Sequence, residues 1–80
     1  MPFTNELKKY IDEFAEGGYK RTFIRDRIAD AAKVTPRMVN MWIAGKHLPD
    51  VVSGQVVADW IGKKIGRKVT VADVWPVQMS

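Results

Sequence analysis

The chain has no cysteine and one histidine, His47. Without thiols it builds neither disulfides nor thiolate metal sites. A lone histidine with no Asp or Glu cluster around it holds no metal either. No apolar run approaches the ~18 residues of a membrane span. The opening MPFTNELKK lacks the charge-then-apolar order of a secretory signal. The expectation is an intracellular, cytoplasmic protein with no membrane contact. Internal repeats, low-complexity tracts and linkers are missing. So are paired carboxylates in a plausible pocket, a nucleophile beside a base, and a glycine-rich phosphate loop after a strand. Gly62-Lys63-Lys64-Ile65-Gly66 reads as a helix end. Nothing here supports an enzyme, a cofactor or a small-molecule ligand.

What is present fits one small domain over residues 1–76, with a short tail at 77–80. The chain has 80 residues, is 46% hydrophobic and carries three Trp, enough to bury a core. Its net charge is +4 and its pI about 9.6. The charge is unevenly spread. Residues 1–19 carry −2, residues 47–80 carry +1, and residues 20–46 carry +5. That middle window holds Lys20, Arg21, Arg25, Arg27, Lys33, Arg37 and Lys46 against Asp26 and Asp30. Concentrated cations suit a polyanion such as a phosphate backbone; a solvated surface is the plain alternative.

The apolar spacing predicts an all-α chain of five helices. A first helix spans Phe3 to Glu16, capped by Thr4 or Asn5. Phe3, Leu7, Tyr10, Ile11 and Phe14 share one side, and Gly17-Gly18 stops it. A second helix starts with Thr22 as cap and runs to Ala32. Ile24, Ile28, Ala31 and Ala32 form its stripe, with the small Ala29 beside it. Lys33-Val34 is a turn, and Val34 plugs the angle it makes. Thr35 then caps a third helix, and Pro36 sits at its first position, where a missing N–H costs nothing. This helix runs to Ala44 and stops at Gly45. Leu48 is expected in the core, and Pro49 stiffens the exit.

A fourth helix begins at Asp50 or Ser53 and ends at Ile65, before Gly66. Val52, Val56, Val57, Trp60, Ile61, Ile65 and the stem of Lys64 make its apolar side. Gly54 and Gly62 weaken it intrinsically. Thr70 and Asp73 form a capping-box variant that opens a one-turn helix, Val71 to Trp75, stopped by Pro76. A short strand over Lys68 to Val71 is the alternative. Val69, Val74 and Trp75 close the core.

The third helix splits into two faces. Val39, Trp42 and Ile43 point inward. Arg37, Asn40, Met41 and Ala44 share the opposite face. An exposed Arg can grip guanine with two hydrogen bonds, and an exposed Asn can do so for adenine. Met41 suits a thymine methyl, or else fills a core gap. Lys46 and His47 follow the helix where side chains reach phosphates. Lys46, a full ammonium charge, is the stronger of the two.

Arg25–Ala44 resembles the twenty-residue motif of the phage Cro and repressor family, the Cro/CI-type or xenobiotic-response-element-type regulators. Ala29 matches the small residue of the motif's first helix. Ile28, Ala32, Val34, Val39 and Trp42 match its buried positions. The run Val34-Thr35-Pro36 through Val39, Trp42, Gly45-Lys46 and Pro49 follows the family's phrasing. Gly66 to Pro76 looks like the closing short helix of some small members. Lys33 departs from the pattern, which often has Gly there, and so takes positive φ at a cost of order 1 kcal/mol. The second helix also starts two residues early, which leaves the role of Arg25 open.

The resemblance implies a compact five-helix, lambda-repressor-like domain with a central helix-turn-helix. It implies a repressor of phage or bacterial origin that reads the major groove of double-stranded DNA with helix 36–44. A homodimer on a palindromic operator goes with that picture. Base contacts would come from Arg37, Met38, Asn40 and Met41. Backbone contacts would come from Arg25, Lys33, Thr35, Lys46 and His47. Two alternatives stay open. One is a transcription activator or recombination directionality factor on the same fold. The other is an antitoxin-like protein-interaction module, with Trp75, Val77 and Met79 as its contact surface.

Overall fold

The computed structural model describes residues 5–76. Among them are five helices and no strand: α1 (Leu7–Ala15), α2 (Arg21–Ala32), α3 (Pro36–Ile43), α4 (Val51–Ile65) and α5 (Val71–Val74). The alternative strand at Lys68–Val71 does not form. The predicted contributions of Phe3 and Thr4 to the first helix lie outside the described residues.

α1 begins at Leu7, with Glu6 at the N-cap and no side-chain cap bond there. Asn5 acts one position earlier. Its Oδ1 accepts from the Leu7 N–H at 3.0 Å, and its Nδ2 donates to the Trp42 carbonyl at 2.9 Å. One side chain thus starts α1 and holds the end of α3. The Glu6 N–H donates to the Val74 carbonyl at 2.7 Å, which ties the entry of α1 to α5.

α2 starts at Arg21, not after Thr22; Lys20 is its N-cap, and Thr22 lies in the first turn. Long-range contacts override the local cap signal. Arg21 pairs with Asp12 of α1 at 2.5 Å, and Tyr19 packs edge-on against Phe14 at 4.8 Å. These fix the chain before Thr22 is reached. Ile24, Ile28 and Ala29 are the buried residues of α2, while Ala31 and Ala32 are half-buried. Ala29 is therefore central to the stripe rather than beside it.

Lys33 ends α2 at φ 59, the left-handed conformation expected of it. Its N–H donates to Asp30, and the Val34 N–H donates to Ala29 at 2.9 Å. This is the bonding of a Schellman stop. Val34 packs against the core, so the turn is held from its apolar side. Thr35 caps α3 by accepting from the Met38 N–H at 3.3 Å, with Pro36 at the first position. α3 ends at Ile43, one residue short of Ala44. Gly45 follows at φ 76, with Lys46 N–H on Met41 O and Gly45 N–H on Trp42 O.

Asp50 caps α4 by accepting from the Ser53 N–H at 2.8 Å. Its buried residues are Gly54, Val57, Ala58, Ile61 and Gly62. Val52 does not join them; it is 72% exposed. The small residues take the inner positions because other chain segments come close there. A Cβ on Gly62 would lie 2.7 Å from the Arg67 carbonyl oxygen. Thr70 and Asp73 form a reciprocal capping box on α5. Val69, Val74 and Trp75 are buried, and Trp75 meets Trp42 edge-on at 6.3 Å. Burying Trp75 removes it from the interaction surface of the antitoxin-like alternative. Val77 and Met79 lie outside the described residues. Leu48 packs on the core. α2 packs against α1, α3 and α4, so α3 is carried on the central helix.

Candidate nucleic-acid interface

α3 is anchored by Val39 and Trp42, which are fully buried, and by Ile43 and Met38, which pack on the core while half-exposed. That fixes the rotation of the helix. Arg37 and Asn40 stand exposed on its outer side, three positions apart and so neighbours on the helix surface. Met41 is half-buried at the edge of this face. Met38, named as a base contact, leans into the core, and its N–H is engaged by Thr35.

Lys33 and Thr35 are exposed just before α3, and Lys46 and His47 just after it. The face of α3 is therefore bracketed by a cation at each end. Among the described residues no carboxylate pairs with Lys33, Arg37 or Lys46. Lys20, at the start of α2, also stands without one.

The other cations of the basic window are engaged. Arg21 holds Asp12, Arg25 holds Asp26 at 2.9 Å, and Arg27 lies 3.9 Å from Asp30. Arg25 is half-buried and donates from both Nε and Nη2 to the same Asp26 oxygen. Its positive charge is thus partly answered within the chain.

A groove of about 170 Å³ runs between α1, the first turn of α2 and α3. Asn40 and Ile43 border it from α3, Arg21, Thr22 and Arg25 from α2, and Lys8 from α1. The N-cap of α2, Lys20, makes no side-chain cap bond. The first-turn amides of α2 therefore receive no cap from the Lys20 side chain, at the positive end of the helix dipole. Thr22 and Lys8 were not foreseen here. Their signal is weak in the sequence, because it depends on where α2 begins and on α1 lying beside α3.

No family model matches the chain, and no solved structure matches it. Two curated proteins are similar over a short stretch. The low affinity inorganic phosphate transporter 4 of Petunia hybrida is 40% identical over 48 residues, 60% of this chain and 9% of that protein. Transporter 5 of the same plant is 38% identical over 48 residues, again 60% and 9%. The chain thus spans about a tenth of the length of these relatives. No helix among the described residues is long and apolar enough to cross a membrane.

Proposed function

We propose that the chain is a sequence-specific double-stranded DNA-binding regulator on a lambda-repressor-like helix-turn-helix fold. α2, the Lys33-Val34 turn and α3 make the motif, and α3 enters the major groove. The observation that carries this is the outer side of α3. Arg37 and Asn40 stand exposed on a helix whose rotation the core fixes, with Lys33 and Lys46 at its two ends, neither paired with a carboxylate among the described residues.

Arg37, Asn40 and Met41 read base edges, with Met38 confined to the rim of the contact. Lys33, Thr35, Lys46 and His47 position the phosphate backbone, joined by Thr22 at the edge of the groove. Arg25 contributes less, because Asp26 already engages it. The resemblance to Cro/CI-type proteins supplies the repressor role.

Two copies bind a palindromic operator. Half-sites one helical turn apart place two α3 helices roughly 34 Å from each other. The body measures 33 × 25 × 21 Å, so two copies on one DNA face come into reach of each other when the longest axis lies along the DNA. Val51 and Val52, 77% and 72% exposed at the start of the helix after α3, are the apolar side chains that fit this contact.

Selection of bound sequences from a pool of random duplexes tests the assignment. A palindromic consensus with two half-sites about one turn apart is the expected result. Failure to enrich any sequence overturns it.

A further inference from the structure

A row of aromatic rings crosses the molecule on a side the DNA-reading role does not use. Trp60 of α4 lies 5.5 Å from Phe14 of α1. Phe14 meets Tyr19 edge-on at 4.8 Å, and Tyr19 stacks on Phe23 of α2 at 6.0 Å with 13° between the rings. Phe14 and Trp60 are half-buried, but Tyr19 and Phe23 are 50% and 48% exposed. A small domain gains most by burying its rings. Two large aromatics left half in water, touching each other, form a ready apolar anchor site.

Phe23, the exposed end of the row, faces away from the groove beside Asn40. Arg21 and Arg25 border that groove, and Phe23 is two positions from each. Two positions turn about 200° around a helix, so Phe23 points the opposite way. A partner seated on the rings leaves α3 open.

The charges around the row select the occupant. Residues three or four positions from Phe23 and Trp60 share their surface. These include Lys20, Lys63 and Lys64, all exposed, and Arg27, which Asp30 already approaches at 3.9 Å. The Lys64 ammonium stands 5.6 Å from the Trp60 ring centre. Of the acids nearby, Asp26 is bonded to Arg25 and Asp12 to Arg21, which leaves Glu16 beside Tyr19 as the acid set against these cations. A second copy of the chain would set these cations against each other across a two-fold axis. A peptide with apolar side chains and acidic neighbours meets both features. The stacking of Tyr19 on Phe23 also occupies the ring faces between which a nucleobase would insert.

We infer that the Trp60–Phe14–Tyr19–Phe23 row docks an acidic protein segment whose aromatic or aliphatic anchors seat on Tyr19 and Phe23. This surface does not depend on the DNA-binding role and goes beyond it. The test is selection of random displayed peptides on the full chain. Enriched peptides are expected to carry Asp or Glu on either side of an aromatic or aliphatic residue. A synthetic consensus peptide should then shift the amide resonances of Tyr19 and Phe23 and the Trp60 indole signal, leaving those of Lys33, Arg37 and Lys46 in place. Phe23→Ser should weaken it by about tenfold or more. Lys64→Glu, at an exposed position that does not threaten folding, should weaken it as well. An acid-free consensus, shifts on α3 instead, or unchanged affinity in Lys64→Glu overturns the assignment. So does a single-stranded oligonucleotide that moves the row's resonances more than the peptide does. Self-association abolished by Phe23→Ser overturns it in favour of a second copy.

Discussion

Lys33 carries two opposed demands in one residue. Its backbone sits at φ 59, where a side chain with a Cβ is strained. Its ammonium is exposed at the mouth of α3, with no carboxylate partner among the described residues. Lys33→Gly removes the strain, worth roughly 1 kcal/mol, and part of that gain is offset by glycine's greater freedom when unfolded. The urea midpoint should therefore rise slightly. The same change deletes a proposed phosphate contact, so affinity for every duplex should fall and the salt slope should drop by about one. Loss of stability together with unchanged DNA affinity would remove Lys33 from the interface. Arg37 differs in kind. Arg37→Ala should cost ~1–3 kcal/mol of binding and relax preference at one base position. Lys46→Ala should weaken all sequences alike. Binding curves on the selected operator and on single-base variants of it separate the two effects.

At the scale of the element, α4 shows how far periodicity reaches. Its apolar residues lie nearly all round, so the valines gave no contrast to mark the inner side. The inner side is instead set by Gly54, Ala58 and Gly62, whose smallness matters only because other segments approach. The bounds of α3 were legible to within a residue, because Thr35, Pro36 and Gly45 are local signals that need no partner. The start of α2 was not, because Asp12 and Phe14 fix it from another helix. The same holds in the candidate site. Arg37 and Asn40 follow from spacing alone. The Asp26 bond that engages Arg25, the inward lean of Met38 and the Asn5 grip on Trp42 need the assembled fold. The two glycines of α4 now separate. Alanine gains about 1 kcal/mol over glycine inside a helix. At Gly54 the nearest atoms to an added Cβ lie at 3.5–3.7 Å, ordinary contact, so Gly54→Ala should stabilise. At Gly62 the Arg67 carbonyl lies at 2.7 Å and the Val69 nitrogen at 3.1 Å, both backbone. Gly62→Ala should destabilise despite its better propensity. Urea unfolding of the two variants reads the sign directly, and a stabilised Gly62→Ala would contradict the close passage of residues 67–69 over α4.

For the whole molecule, three carboxylates sit where separate parts of the chain are joined or begun. Hydrogen bonding and the charge of Arg67 hold Glu13 below its ordinary range, and that pair ties α1 to the loop after α4. The bond from Ser53 lowers Asp50 at the start of α4. The bonds from Thr70 lower Asp73, which starts α5, the helix on which Glu6 and Trp42 rest. Each folded pKa lies below its unfolded value of about 3.9–4.3. Each group therefore adds stability that is fully present above that unfolded value, and loses it as pH falls through the folded pKa. The thermal midpoint should hold steady down to about pH 5 on this account and decline below about pH 4. Asp73→Asn isolates one contribution, because the amide oxygen can still accept from the Thr70 N–H while carrying no charge. The variant should be less stable than the parent at neutral pH. The gap between them should close as acid protonates Asp73 in the parent. Circular dichroism melts across that range measure the gap. A gap that stayed constant into strong acid would mean that the charge of Asp73 does not stabilise the fold, and that the capping box holds α5 by geometry alone.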